Sequence, residues 1–539
     1  MQVAEGGMQT GGIFWSGGRV AWAGDGVDEV ARRFRDPAYV VVHPETGHVG
    51  AGLEGGLVGQ GGFPVQGFLP GIYPEWLGDR RFSETHGVRF PYVVGEMARG
   101  ITSVRMVIEA GKAGMLGFFG SAGLPPDQVE EAILTIGKEL GPAGPWGMNL
   151  IHAPGFPQLE DMLVDLFLHH GVPRVCASAF VGLTPAVVRY ACKGLSLAQD
   201  GRILRRHHLL AKVSRPEIAR HFMAPPPEGI LQTLVSKGLL TQQEAALAAR
   251  LPLAEDVTVE GDSGGHTDSQ VLGSIFPIIV KLRDTLEKTH GFPVRVGAAG
   301  GLGTPQAVAS AFALGAAYVL TGSVNQSAVE AGVAELTRAM LAKASVGDVS
   351  TCPSADMFEM GAKVQVLKKG TLFPSRANQL YELYVRYPSL EAIPKEIREK
   401  LERQVFRNSL DSVWEETKAF FAQISPRDVE RAQKDPKHKM ALAFRWYLGL
   451  SSRWPIVGDQ DRAIDYQIWC GPAMGSFNEW VAGSFLEPLE NRTVAQIGLN
   501  LLEGAAKVTR AYQLRVYGVA VPNRAFSFVP RPLACGTNR

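Results

Sequence analysis

Two glycine-rich turns and one histidine are the residues best suited to chemistry. The first turn is Val296-Gly-Ala-Ala-Gly-Gly-Leu-Gly-Thr-Pro305, in which an apolar run enters Gly300, Gly301 and Gly303. Thr304 then caps a helix with Pro305 at its first position. Glycines let backbone N–H groups approach an anion, and a helix N-terminus adds unpaired N–H groups and positive dipole. The second turn, Leu320-Thr-Gly322-Ser323, ends the next apolar run. One such turn is an ordinary tight connection; two at consecutive strand ends describe a phosphate cradle. The spacing is not G-x-G-x-x-G, and no acidic residue follows about twenty positions on, so a dinucleotide fold is not indicated. Between the strand VTV and these turns stands Glu260-Gly-Asp-Ser-Gly264-Gly265-His266-Thr-Asp268. An imidazole titrates near neutrality and can protonate a carbanion, and Gly264 and Gly265 leave backbone donors free to meet a ring or carbonyl oxygen. A loop histidine taken alone is more often merely solvated; its place one strand before the cradle favours function.

Other candidates are less specific. Gly95-Glu96-Met97-Ala98-Arg99-Gly100 ends one strand and Asn149 ends another (WGMN), so Gly95, Met97 and Asn149 suit the edge of a flat heterocycle. Lys212 interrupts the apolar run LLAKVS. A buried lysine needs an anion or an electron-rich ring as partner, and the alternative is a side chain snorkelling from a strand end. The basic run Arg202, Arg205, Arg206, His207 and His208 reads as a solvated face, with reception of an acidic carrier as the other reading. Tyr466 to Trp480 (YQIWCGPAMGSFNEW) reads as packing against the rest of the molecule rather than as an acyl pocket.

The elements that must position these residues alternate strand and helix from about Arg89. The strands are FPYVV, MLGFF, WGMNLI, VPRVCASAF, LLAKVS, DVTVEGD, PVRVGAAGG and AAYVLTGS, each followed by an amphipathic stretch. Unbroken apolar strands are buried on both faces, as parallel strands are. Eight units in about 260 residues predict an α/β (β/α)₈ TIM barrel, with an open doubly wound sheet as the structural rival. The two glycine turns then follow strands seven and eight, where barrels often hold phosphate. The predicted organisation is a β-rich segment over 1–88, a barrel over 89–345 and a helical extension over 346–539. A helical insertion at about 222–255 and the extension are candidates for a lid and a dock. Four stretches of the extension read as long helices: SADMFEMGAKVQVLKKG, RANQLYELYVRY, PKEIREK to FFAQI, and AQIGLNLLEGAAKVTRAYQLRVYG.

Composition excludes several classes. With 539 residues, 45% hydrophobic, 20% charged and a net charge of +1, the chain is neither disordered nor built to grip nucleic acid or an anionic membrane. The five cysteines (176, 192, 352, 470 and 535) include no C-x-x-C pair, so neither a disulfide framework nor a metal site is expected. No eighteen-residue apolar run occurs, and the first residues lack a signal-peptide pattern, so a cytoplasmic protein is expected.

GDSGGHTD, VRVGAAGGLGTP, AAYVLTGSVNQ, CPSADMFEMGAKVQVLKKGTLF and DYQIWCGPAMGSFNEW together resemble the PfaD-type trans-acting enoyl reductases of polyunsaturated fatty acid and polyketide synthases. That family is a branch of the FMN barrels that include 2-nitropropane dioxygenase (nitronate monooxygenase). The resemblance covers nearly the whole chain, and its C-terminal motifs are absent from plain nitronate monooxygenases. It implies bound FMN reduced by NADPH, and reduction of the 2,3 double bond of an enoyl thioester carried on an acyl carrier protein. It places the FMN phosphate on Gly300, Gly301, Gly322 and Ser323. The isoalloxazine falls near Gly95, Met97, Asn149 and Lys212, and His266 is the acid. Backbone amides or Lys212 would steady charge on the thioester oxygen. Asp262 and Ser263 replace the commoner Glu-Ala before the histidine, a departure from the nitronate enzymes. Glu96 and Arg99 likewise stand where relatives carry small residues. A nitronate-oxidising flavoenzyme and a non-catalytic synthase scaffold are the other functional readings. A homodimer is compatible with the family, although no residue identifies an interface.

Overall fold

The computed structural model describes residues 13–534. Eight parallel strands close into a barrel in chain order: Tyr92–Val94, Leu116–Phe119, Trp146–Ile151, Arg174–Ser178, His208–Val213, Asp256–Glu260, Arg295–Ala299 and Val319–Thr321. Closure is made where Val319 and Leu320 of the eighth strand pair with Tyr92 and Val93 of the first. The apolar runs of the sequence are these eight strands, so the barrel reading holds and the open sheet does not. Several outer helices start as their sequences dictate. Ser103, Thr184 and Thr304 each accept a bond from the backbone N–H three residues on, an arrangement contributing about 1 kcal/mol per cap.

Before the barrel lies a six-stranded antiparallel sheet in the order Arg19–Ala21, Val49–Leu53, Ala38–Val42, Phe63–Leu69, Phe14–Ser16, Gly56–Val58, in keeping with the β-rich reading of this segment. The short helix Arg80–His86 follows, and its Phe82 stacks on Tyr318 of the barrel interior with ring centroids 4.2 Å apart. The helix Val494–Val516 joins sheet to barrel. Gly504 on it approaches Pro305 so closely that a Cβ would lie 2.5 Å from Cγ, while the buried Arg510 guanidinium donates to the carbonyls of Phe34 and Leu69.

Three expectations for the helical parts need correction. SADMFEMGAKVQVLKKG is not a helix: after one 3₁₀ turn it becomes the strand Lys363–Leu367, which pairs with Val349–Pro353 on one side and Gly265–His266 on the other. The alternation of Val364 and Val366 is a strand pattern, satisfied by a partner about a hundred residues away. The stretch from Lys395 to Ile424 is not one helix either. It is Lys395–Leu401, a π-turn Glu402–Phe406, and Leu410–Ile424, broken at Arg407 with φ +53°. The insertion does form helices, Glu228–Ser236 and Gln242–Ala248, but it joins a helix to the start of the sixth strand. Such connections lie at the N-terminal end of a barrel, opposite the strand C-termini, so it is no lid.

Only part of the basic run is a solvated face: Arg202 and Arg206 are exposed, but the other three residues turn inward. Arg205 is buried and donates to the carbonyls of Pro252 and Leu253; His207 is buried against the Val172 carbonyl at 3.0 Å. His208 lies 2.5 Å from Glu255. Cys176, Cys192, Cys352 and Cys470 are buried free thiols; Cys535 and the first twelve residues lie outside the described residues. Among the described residues no cluster could hold a metal ion, and no helix is long and apolar enough to cross a membrane.

Candidate active site

Alternation along each strand sends every second residue inward, and the inward residues form layers. At the N-terminal end Asp256 accepts from Arg295 Nε at 2.6 Å and Nη2 at 2.8 Å, and lies 2.9 Å from His86 Nε2. Arg174 donates from Nε to His86 Nδ1 at 3.0 Å, which makes His86 a neutral imidazole that donates to Asp256 from Nε2. Burial pushes the His86 pKa down. Burial also pushes the Asp256 carboxyl up, but Arg295 and His86 outweigh it and hold Asp256 below its ordinary range. Above this layer the interior is lined by Val93, Leu116, Phe118, Leu210, Ala299 and Leu320, with Thr258 Oγ1 and the Tyr318 hydroxyl satisfying each other at 2.8 Å.

At the C-terminal end the interior turns polar again and opens into a cavity of about 1030 Å³. Lys212 projects from the fifth strand between two carboxylates, 3.0 Å from Glu96 Oε1 after the first strand and 3.2 Å from Glu260 Oε1 at the end of the sixth. Burial works against the Lys212 cation, but Glu260 and Glu96 more than offset this and raise its pKa. Burial raises Glu260 as well, against the pull of Lys212. The lysine's expected anion is therefore supplied by the protein itself. An ammonium has three donors, so two carboxylates leave one for the cavity. Asn149, buried on the third strand, donates through Nδ2 to the Cys176 carbonyl (3.1 Å) and to Ser178 Oγ (2.9 Å).

His266 and both glycine turns border this same cavity. Gly300 and Gly301 hold φ of +86° and +71°, a region that favours glycine. Gly300 packs on the backbone of Gly261, where a Cβ would come within 2.7 Å, whereas a Cβ at Gly301 or Gly322 would meet nothing within 4 Å. The backbone at those two positions is thus bare toward the cavity. Ser323 opens a 3₁₀ turn, Ser323–Ser327, whose first N–H groups have no partner within the turn. Its Oγ accepts from the Gly471 N–H at 3.0 Å.

The extension completes the site. Gly471 and Gly264 touch backbone to backbone, and Gly303 abuts the Ala473 carbonyl so tightly that a Cβ would sit 2.2 Å away. Trp469, Gly471 and Ala473 line the cavity, so the Tyr466–Trp480 stretch both packs on the barrel and walls the site. Gln365 on strand Lys363–Leu367 donates to Asp262 Oδ1 (2.9 Å) and to the Ser263 carbonyl (2.7 Å), tying the histidine loop to the extension. Asp356, also from the extension, lies 3.1 Å from His266 Nε2. Burial opposes the imidazolium, but Asp356 outweighs it and raises His266; against its own burial, Asp356 is brought down to about 2, chiefly by His266.

Of the residues chosen from sequence, Met97, Asn149, Lys212, Gly264, Gly265, His266, Gly300, Gly301, Gly322 and Ser323 all line the cavity. Gly95 is not among the lining residues: its N–H donates to the Thr321 carbonyl and a Cβ would lie 2.5 Å from Leu320 Cδ2, so it serves packing at the barrel seam. Sequence reasoning missed Glu260, Glu96 and Asp356 as members. Thr258 and Glu260 at alternate positions of one strand signalled an inward Glu260; nothing local signalled Asp356.

Comparison with known proteins agrees with this architecture. The nitronate monooxygenase family model matches residues 80–405, and the model of the inserted helical domain of [acyl-carrier-protein] S-malonyltransferase matches residues 387–466. A polyunsaturated fatty acid synthase polypeptide of Thraustochytrium sp. is 49% identical over 448 residues, covering 81% of this chain and 30% of that protein. Polyketide biosynthesis protein PksE of Bacillus subtilis is 44% identical, covering 81% of this chain and 57% of that one. The chain thus spans under a third of the first and little more than half of the second. The crystal structure of the enoyl reductase domain of MlnA, from the macrolactin biosynthesis cluster of Bacillus amyloliquefaciens, superposes with a TM-score of 0.78 at 38% identity, covering 82% of this chain and 99% of that one. By its sequence over the whole barrel this chain belongs to the nitronate monooxygenase family, and it shares the fold of the MlnA enoyl reductase domain.

Proposed function

We propose that the protein is an FMN-dependent, NADPH-linked enoyl reductase acting on 2-enoyl thioesters carried by an acyl carrier protein. The observation that carries this reading is the convergence of two bare glycine turns and a carboxylate-paired histidine on one cavity. Gly301 and Gly322 fit a phosphate, because their backbone is open where side chains would otherwise fill the space, and Gly300 and Ser323 flank them in the same two turns. Met97, Asn149 and Lys212 would border the ring. Bound there, FMN would relay hydride from NADPH to the β-carbon of the enoyl thioester. A cavity of about 1030 Å³ lies at the upper end of the sizes typical of ligand pockets, in keeping with room for a cofactor and a thioester arm.

The chain's own residues account for the remaining steps. With Asp356 ionised, His266 donates to it from Nε2, leaving the Nδ1 proton of the imidazolium as the one available to the α-carbon. The remaining Lys212 donor can steady negative charge at a carbonyl oxygen, and the two carboxylates fix where that donor points. Trp469 and Ala473 wall the site against bulk water.

The test is an anaerobic absorption titration of the purified protein. A flavin spectrum bleached by NADPH and restored by crotonyl thioester is expected; a colourless protein that neither takes up FMN nor oxidises NADPH would refute the reading. Faster oxygen uptake with a nitronate than reduction of the thioester would assign the protein to nitronate oxidation instead.

A further inference from the structure

The cations that border the cavity differ in whether an acid answers them. Lys212 has Glu96 and Glu260, Arg215 has Asp268 at 2.6 Å, Arg431 has Asp435 at 3.4 Å, and His438 has Glu359 at 3.0 Å. Arg445 has three carboxylates in its surroundings, and Lys363 is exposed to solvent. Arg99 is different. It is half-buried and lines the cavity, yet among the described residues it makes no ion pair, and no hydrogen bond leaves its guanidinium. Burial lowers its pKa, and the one charged group that adds to this is another cation, Arg453 of the extension. Removing a guanidinium from water without a counter-ion is costly, and a second positive charge adds to the cost.

The backbone holds this cation deliberately. Arg99 has φ +58°, in the left-handed region that a non-glycine residue adopts only at a cost. Its N–H donates to the Ala122 carbonyl at 2.8 Å, and the Gly100 N–H to the Gly120 carbonyl at 2.8 Å, locking the loops after the first and second strands together. The guanidinium stem lies over Gly123, whose missing Cβ would stand 3.3 Å from Arg99 Cγ and 3.9 Å from Cζ. A strained backbone, a glycine floor and an absent counter-ion together describe a fork awaiting an anion.

We propose that Arg99 is the anchor of a second phosphate subsite, which receives a phosphate carried into the cavity by an incoming substrate rather than the one held by the turns at 300–303 and 322–323. A planar guanidinium matches a phosphate with two parallel N–H···O bonds. Resting on the reductase reading above, two sources carry that chemistry: the phosphopantetheine arm of a carrier protein and the adenosine 2′-phosphate of the reductant.

Isothermal titration calorimetry of the full-length protein with 4′-phosphopantetheine and with 2′,5′-ADP separates them. One probe is expected to bind the wild type and to lose about tenfold or more in affinity in Arg99→Gln, with Arg99→Lys intermediate. The probe affected identifies the source, and pantetheine lacking its phosphate should bind wild type and variant alike. Equal affinities of wild type and Arg99→Gln for both probes, or no binding of either by the wild type, would overturn the proposal. So would loss of FMN uptake in Arg99→Gln, which would assign the guanidinium to the cofactor. Calorimetry requires no turnover, so a protein that holds a probe through Arg99 but reduces no thioester would refute the reductase reading and leave this subsite standing.

Discussion

The two ends of the barrel use the same kinds of charged residue to opposite effect. At the N-terminal end Asp256, Arg295, Arg174 and His86 lie within a dry interior, and the acid answers every cation through bonds of 2.6 to 3.0 Å, directly or through His86. Asp256 is driven toward its ionised form there. At the C-terminal end two carboxylates share one lysine at 3.0 and 3.2 Å, Glu260 is pushed toward its neutral form, and a cavity covers the group. A completed network holds a fold together, whereas an incomplete one facing a cavity has binding capacity left for a ligand.

The largest effect should come from breaking the saturated end. Asp256→Asn leaves Arg295 and Arg174 buried without their acid and is expected to cost about 3–5 kcal/mol in denaturant unfolding, with activity per folded molecule unchanged. Lys212→Met should invert that pattern. The freed carboxylates can take up a proton beside the cavity, so stability should fall by less than about 2 kcal/mol while thioester reduction drops by about a hundredfold. If Lys212→Met unfolds the protein as readily as Asp256→Asn, the contrast between the two ends fails.

Asp356→Asn sharpens the comparison through pH. His266 can serve as the proposed acid only while protonated, so activity should decline as pH rises through its raised pKa, and the variant's decline should begin at lower pH. The same pair yields the smallest effect, on stability. The raised His266 pKa means its contribution is fully present below the unfolded value of about 6.5 and disappears as pH rises through the folded value. Asp356, held down to about 2, contributes above its unfolded value and loses this as pH falls through about 2. Because both side chains are partly exposed, the difference between wild type and Asp356→Asn should stay below about 1 kcal/mol at neutral pH.

What could be read in advance was local. Eight apolar runs, the Thr304-Pro305 helix start and the glycine turns each declare themselves within about ten residues, and barrel closure then brings the turns together. What escaped depends on register between distant segments. Lys212 pairs with Glu96 across 116 positions, and Asp356 meets His266 only because Val364 pairs with His266. The strand Lys363–Leu367 was readable from alternating valines, but its neighbours favour helix and its partners are remote. The insertion's place was deducible, since a connection from helix to strand returns to the barrel's N-terminal end.

In the proposed function the bare backbone at Gly301 and Gly322 grips the phosphate of a flavin. Gly322→Ala tests it cleanly, because φ at Gly322 is −118° and an added Cβ meets no protein atom within 4 Å, so the fold should be unaffected. Flavin fluorescence quenching should report about tenfold weaker FMN binding by the variant, with unchanged binding of riboflavin, which has no phosphate. Equal FMN affinity in wild type and variant, or weakening of both flavins alike, would contradict the account.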